Sequence, residues 1–269
     1  LAARSGRVAA AQMVSTPRVE ENLGVAGMLV AEAVAQGAEL VALPEYFPIM
    51  GMSEGDKVRV REDYGCGPIQ DFLAETARRH RIWLVGGSLP LRHADPEKVY
   101  NSCLIYNPQG LCVERYDKIH LFGFQKGIER YDESATIASG NRTVNFATPF
   151  ARVGVSICYD MRFPELYRAL GINDLLVIPA AFTETTGRAH WEILLRARAI
   201  ENQCYVLAIA QGGKHENGRE THGNSMLIDP WGVVRDRCAK GAGITSGVVD
   251  PARIVEVRAS LPALKHRVM

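Results

Sequence analysis

Apolar positions along the chain fall into two alternating rhythms. Runs such as "RVAAAQMV" (7–14) and "ELVALPEYF" (39–47) are apolar at nearly every position, the pattern of strands buried on both faces. Between them Leu23, Ala26, Val30 and Val34 recur at helical spacing, after Thr16-Pro17 and before Gly37, which predicts a helix joining two strands. The unit repeats: Pro68 opens a segment with Ile69, Phe72, Leu73 and Ala77 on one face, ahead of the strand "IWLVGG". A hairpin follows in "YNSCLIYNPQGLCVERYDKIH", turning at Asn107-Pro108-Gln109-Gly110. The second half runs through the same order. Strand "RVGVSIC", helix "PELYRALG" and strand "DLLVIPAAF" come first, then helix "HWEILLRARAIENQ" and strand "CYVLAIAQ", then a hairpin turning at Asp229-Pro230-Trp231-Gly232.

Helix and strand twice, hairpin, and the same again describe two pseudo-symmetric halves of an α/β protein. No low-complexity linker separates them, so one domain over residues 1–269 is expected, with a core at about 8–257 and a C-terminal tail at 258–269. Strands apolar on both faces need cover on both sides, which predicts two sheets packed face to face with helices outside, a four-layer α-β-β-α sandwich. A hydrophobic fraction of 47% in 269 residues is enough for such a core. Net charge of +1, with both signs interspersed, gives no field for nucleic acid or anionic lipid, and a small-molecule partner is expected instead. No run approaches the ~20 apolar residues of a membrane span, and no signal-peptide pattern opens the chain, so a cytoplasmic location is expected. The six cysteines are widely spaced, with no CxxC pair or zinc-ligand pattern, and read as free thiols with no metal.

GxSxG, GxGxxG, Walker and HExxH patterns are all missing. What stands out is chemistry placed at strand ends, where side chains leave a rigid sheet for a site. Glu45 follows "LVALP", Lys118 ends the second strand of the first hairpin, and Cys158 follows "VGVSI". Singly, each has an ordinary explanation: a turn carboxylate, a solvated sheet-edge lysine, a small core residue. Together they supply a base, a positive donor for an oxyanion, and a nucleophile. A cysteine and histidine dyad is the competing arrangement, but none of the seven histidines occupies a strand end.

At these residues the sequence resembles the carbon-nitrogen hydrolase, or nitrilase, superfamily, through "LPEYF", "YDKIHLF" and "GVSICYDMRFPEL", over roughly residues 8–257. The resemblance implies the same α-β-β-α sandwich, with Glu45 as general base, Lys118 as oxyanion donor and Cys158 as nucleophile. It implies a second glutamate between lysine and cysteine, matching Glu133 best, with Glu129 as the alternative. Asp160, Arg162 and Glu165 brace the turn after the cysteine. "TTGRAHWEILLRARAIENQCYVLAIAQ" and "SMLIDPWG" look most like the branch containing deaminated glutathione amidase and less like ω-amidase. Tyr159, Thr185, Thr186, His190 and Trp191 would then border the substrate, although Trp191, Leu194, Leu195 and Ala199 also have the spacing of a core stripe. Asn224 stands where relatives often carry histidine. The implied reaction is hydrolysis of a linear amide through a thioester, without cofactor, by a homodimer or larger homo-oligomer. Lys118 is expected to lower the Cys158 pKa. ω-Amidase, N-carbamoyl amine hydrolase and nitrilase activities are the alternatives, along with a catalytically silent binding protein of the same fold.

Overall fold

The alternation of side chains along each strand explains how the sheets are stacked in the computed structural model, which describes residues 4–268. In chain order, the first half contains β1 (Gly6–Gln12), α1 (Val19–Ala35), β2 (Leu40–Ala42), α2 (Asp56–Arg59), α3 (Pro68–His80), β3 (Trp83–Val85), β4 (Leu89–Arg92), β5 (Val99–Tyr106), β6 (Cys112–Asp117), β7 (Gly123–Lys126), β8 (Glu129–Asp132) and β9 (Ile137–Ala138). The second contains β10 (Val144–Ala147), β11 (Arg152–Val155), α4 (Pro164–Ala169), β12 (Leu175–Ala180), α5 (Glu184–Asn202), β13 (Tyr205–Ala210), β14 (Ser225–Ile228), β15 (Val234–Cys238), β16 (Gly243–Val249) and α6 (Pro251–Ser260).

One sheet has the order β16-β1-β2-β3-β5-β4, with β6 and β9 also paired to β5; the other runs β10-β11-β12-β13-β14-β15. Each has three neighbouring parallel strands flanked by antiparallel ones, β16 and β5 in the first, β10 and β14 in the second. Val8, Ala10, Leu40, Ala42 and Val85 pack with Val153, Val155, Leu175 and Val177 between the sheets. The alternate residues Ala9, Ala11, Val41 and Leu84 pack instead with Ala26, Val30, Leu73 and Ala77 of α1 and α3. Trp191, Leu195 and Ala199 of α5 join the core on the second sheet. The expected sandwich is therefore present: the central strands bury both faces, one against the opposite sheet and one against helices.

Several elements lie outside the sequence pattern. β16 is antiparallel to β1 and carries Gly243 and Gly247, so its apolar alternation is weak. The short strands β4 and β10 and the exposed hairpin β7–β8 are likewise additional, as is α6. α5 begins at Glu184, six residues before the apolar pattern suggests, because the Thr183 hydroxyl accepts the Thr186 N–H at 3.2 Å and caps the helix. β2 and β11 are shorter than their apolar runs. Pro44 lacks an N–H to continue β2, and the chain bends away just before Glu45. At the end of β1 the two sheets meet: Gln211 donates to the Ser15 hydroxyl at 2.7 Å and to the Glu45 carbonyl at 3.1 Å.

Candidate active site

Three loops at the strand ends converge on one buried ionic group. Glu45 sits just beyond β2, its loop held by Tyr46 N–H donating to Ser88 Oγ at 3.0 Å and Ser88 N–H to the Pro44 carbonyl at 3.2 Å. Gly87 lies at φ 57°, and a Cβ there would stand 2.2 Å from the Pro44 oxygen, so this approach admits only glycine. Glu45 Oε1 accepts from Lys118 Nζ and Asn101 Nδ2, both at 2.9 Å, while Oε2 accepts the Ala181 N–H at 2.9 Å. Ala181 follows β12, so the second sheet completes the coordination of a carboxylate that the first sheet delivers.

Lys118 follows β6 and is completely buried. Its N–H donates to the Asn101 carbonyl at 2.9 Å and its own carbonyl accepts the Gly140 N–H at 2.8 Å, which fixes the turn. Nζ bridges Glu45 and Glu133, reaching the two Glu133 oxygens at 2.8 and 3.0 Å. Glu133 also accepts the Tyr46 hydroxyl at 2.8 Å and the Phe122 N–H at 2.7 Å. Burial works against the ammonium charge, but Glu133 and Glu45 more than offset it and hold the Lys118 pKa above its ordinary value. Burial likewise opposes ionisation of Glu133, and Lys118 with the two donors outweighs it, so this carboxyl titrates below its ordinary range. Of the two glutamates the sequence offered, Glu133 meets the lysine; Glu129 stands farther out, accepting the Thr185 hydroxyl at 2.9 Å.

Cys158 occupies a tight elbow, with φ at 49°, a left-handed conformation that costs a residue other than glycine about 1–2 kcal/mol. Asp160 holds it in place. Its carboxylate accepts the Ile157 N–H at 2.9 Å, the Tyr116 hydroxyl at 2.6 Å and the His120 N–H at 2.9 Å, as a bracing residue should. The thiol departs from expectation in one respect. Burial, reinforced by the negative charge of Glu45, raises its pKa well above the ordinary thiol value, and Lys118 only partly opposes that shift. The surroundings of Cys158 therefore favour the protonated thiol over the thiolate.

The cleft over this group is narrow, with a free volume of about 10 Å³, and Cys158, Glu45, Glu133, Tyr159 and Thr186 all line it. Arg162, expected only to brace the turn, lines it too, as do Phe122, Phe182 and Arg219. A larger outer cavity of about 470 Å³ lies between Tyr46, Met50 and the β8 residues Glu129 and Tyr131. Three of the residues expected at the substrate lie elsewhere. Thr185 is turned to Glu129. His190 is exposed, with Nδ1 3.3 Å from Arg162 Nη1. Trp191 is fully buried, packed against Phe182 with its indole N–H on the Asn224 carbonyl at 2.8 Å, so the core reading of its helical spacing prevails. Asn224 accordingly sits beside α5 and not among the cleft residues. Sequence reasoning passed over Asn101, Phe122 and Arg219; Tyr46 carried a signal, as the aromatic neighbour of Glu45. Among the described residues no group of three or more His, Cys, Asp or Glu side chains could hold a metal ion.

Comparison with known proteins agrees with this architecture. Deaminated glutathione amidase of Synechocystis sp. is 43% identical over 266 residues, 97% of each chain. The crystal structure of the C. elegans NitFhit protein superposes with a TM-score of 0.90 at 38% identity, covering 100% of this chain and 66% of that one. Saccharomyces cerevisiae Nit3, a member of branch 10 of the nitrilase superfamily, superposes with a TM-score of 0.88 at 29% identity, covering 100% of this chain and 98% of that one. The family model for carbon-nitrogen hydrolase matches residues 7–259, and the chain belongs to the carbon-nitrogen hydrolase family.

Proposed function

We propose that the protein hydrolyses a linear amide through a thioester on Cys158. The observation that carries this reading is the Lys118 ammonium held at 2.8–3.0 Å between Glu45 and Glu133 at the base of the Cys158 cleft. Glu45 takes the thiol proton as Sγ bonds to the amide carbon; the raised thiol pKa makes this transfer necessary. The oxyanion is stabilised by Lys118 Nζ and the backbone N–H of Tyr159. Collapse breaks the C–N bond, and the proton on Glu45 passes to the departing nitrogen. Glu45 then deprotonates a water, which attacks the thioester carbon; the C–S bond breaks, the thiol is restored and a carboxylic acid leaves. Glu133 and Asn101 position Lys118 and Glu45 and take no part in bond exchange.

Deaminated glutathione is the proposed substrate, supported by the 43% identical amidase of that name and the near-complete coverage of both chains. A homo-oligomer is the proposed working form, supported by the exposed apolar side chains of Ile193 and Ile200 on α5 and of Trp231. Cytoplasmic residence is part of the same reading, supported by six free cysteines.

The decisive measurement is ammonia release from deaminated glutathione, 2-oxoglutaramate, N-carbamoyl amino acids and nitriles. Deaminated glutathione should be turned over fastest, Cys158→Ala should be inactive on all, and rapid-quench mass spectrometry should find the acyl group on Cys158 alone. Turnover by Cys158→Ala sinks the mechanism, and a faster rate on another class sinks the substrate assignment.

A further inference from the structure

Arg219 lies between β13 and β14 at the neck joining the inner cleft to the outer cavity, and contributes to the walls of both. Its backbone is fixed: the His215 N–H donates to the Arg219 carbonyl, and the Arg219 N–H to Asn217 Oδ1, each at 2.9 Å. Buried His215 anchors the same loop through the Ser15 carbonyl and the Thr221 hydroxyl, each at 2.8 Å. The guanidinium lies 5.2 Å over the Tyr131 ring and donates through one Nη to the Ala181 carbonyl at 2.8 Å.

The rest of the group has no protein partner. Nε is buried without a hydrogen bond, and among the described residues no carboxylate stands within 4 Å of the guanidinium. Of the neighbouring charges, Lys57 is paired with Glu54 and Glu133 with Lys118, while Glu129 in the wall of the outer cavity accepts only the Thr185 hydroxyl and lies beyond ion-pair distance of Arg219. Arg198 shows the contrast, with a similarly buried guanidinium satisfied by the Met161 carbonyl and Glu201. A buried N–H left open is costly in a finished structure unless something else fills it, and the forked donor geometry of guanidinium matches carboxylate.

We propose that Arg219 is a specificity-determining residue that takes a carboxylate on the portion of the substrate remote from the scissile amide. This rests on the amidase reading of Cys158 and deepens it: the preferred amides are acidic ones, whose far end reaches the neck while the amide carbon meets the thiol. Arg162, the other cation lining the cleft, is engaged with His190 and lies over the Tyr159 and Phe182 rings.

The test compares monoamides of dicarboxylic acids, from succinamate to adipamate, with the uncharged alkanamides of the same length. Wild type should prefer a charged member by at least tenfold in kcat/KM. Arg219→Gln should lose at least tenfold of that preference, mainly in KM, and Arg219→Lys should restore part of it. An equal loss on both series marks a structural role through Ala181 and overturns the proposal. So does an unchanged preference, or one that collapses in Arg162→Gln and not in Arg219→Gln. Calorimetric binding of both series to the Cys158→Ala protein, with and without Arg219→Gln, gives the same comparison without turnover. The two readings fail separately: turnover by Cys158→Ala removes the mechanism, whereas an inactive Cys158→Ala beside an unaltered charged-to-uncharged binding ratio removes only the role of Arg219.

Discussion

The two sheets bring unlike contributions to one cleft. Loops on the side of the first deliver Glu45, Lys118 and Glu133, joined through Lys118 at 2.8–3.0 Å, with Glu45 and Lys118 buried before any substrate arrives. The second delivers Cys158, held by backbone shape and the Asp160 brace, with a thiol that burial keeps protonated. One side is fixed charge and the other a strained peptide turn, so electrostatic and conformational perturbations should have separable effects.

The strongest way to break the charged side is Lys118→Met. It leaves two buried carboxylates without their cation, and we expect activity to fall about 10²–10³-fold and stability by about 3–5 kcal/mol in chemical denaturation. Adding Glu133→Gln should recover part of the stability and none of the activity. An active, equally stable Lys118→Met protein would refute the ionic picture. The glycine beside the Glu45 loop comes next. Gly87→Ala sets a methyl group 2.2 Å from the Pro44 oxygen at positive φ, and should lower stability by about 1–3 kcal/mol and displace Glu45. Gly218, also at positive φ but with nothing near its missing Cβ, is the control: Gly218→Ala should cost about 1 kcal/mol and leave Glu45 in place. Equal costs would mean that the close approach to Pro44 is unimportant.

The smallest effect belongs to the second half, at the start of α5. Burial opposes the charge of Glu184, but Arg188, His222 and Lys240 outweigh it and bring its pKa from 4.5 down to about 2. A carboxyl titrating lower in the folded state stabilises the fold above its unfolded pKa, and that contribution fades as pH falls through the folded value. Melting temperatures of wild type and Glu184→Gln should therefore differ slightly at pH 6 and converge as pH falls from 4.5 to about 2. A gap that widens on acidification would contradict the direction of the shift.

Much of this arrangement was legible in the residues alone. Continuous apolar runs announced the central strands because those strands are covered on both sides, and helical spacing announced α1 and α3. β16 stayed hidden because glycines and half-exposed positions dilute its alternation, although it is the antiparallel partner of β1. Glu45, Lys118 and Cys158 could be read from their strand-end positions, and the geometry selects Glu133 over Glu129 as the second carboxylate at Lys118. The substrate surroundings were harder. Trp191 has a polar edge and a helical period, and only its packing on Phe182 shows that the period decides. Arg219 belongs to no motif; its interest comes from the partners it lacks, which a linear pattern cannot display. Lys118 does pull the thiol pKa down as expected, but the burial that outweighs it was not legible, since pairwise attraction is visible in a motif and desolvation is not.

The bond from the Ala181 N–H to Glu45 joins residues 136 positions apart. Its consequence is temporal. A ribosome-bound chain that ends after Cys158 contains Glu45, Lys118 and Glu133 but still lacks the Ala181 N–H that completes the partners of Glu45. The buried ionic group thus cannot be completed by the first half of the chain alone, and its assembly reports that the second sheet has joined the first.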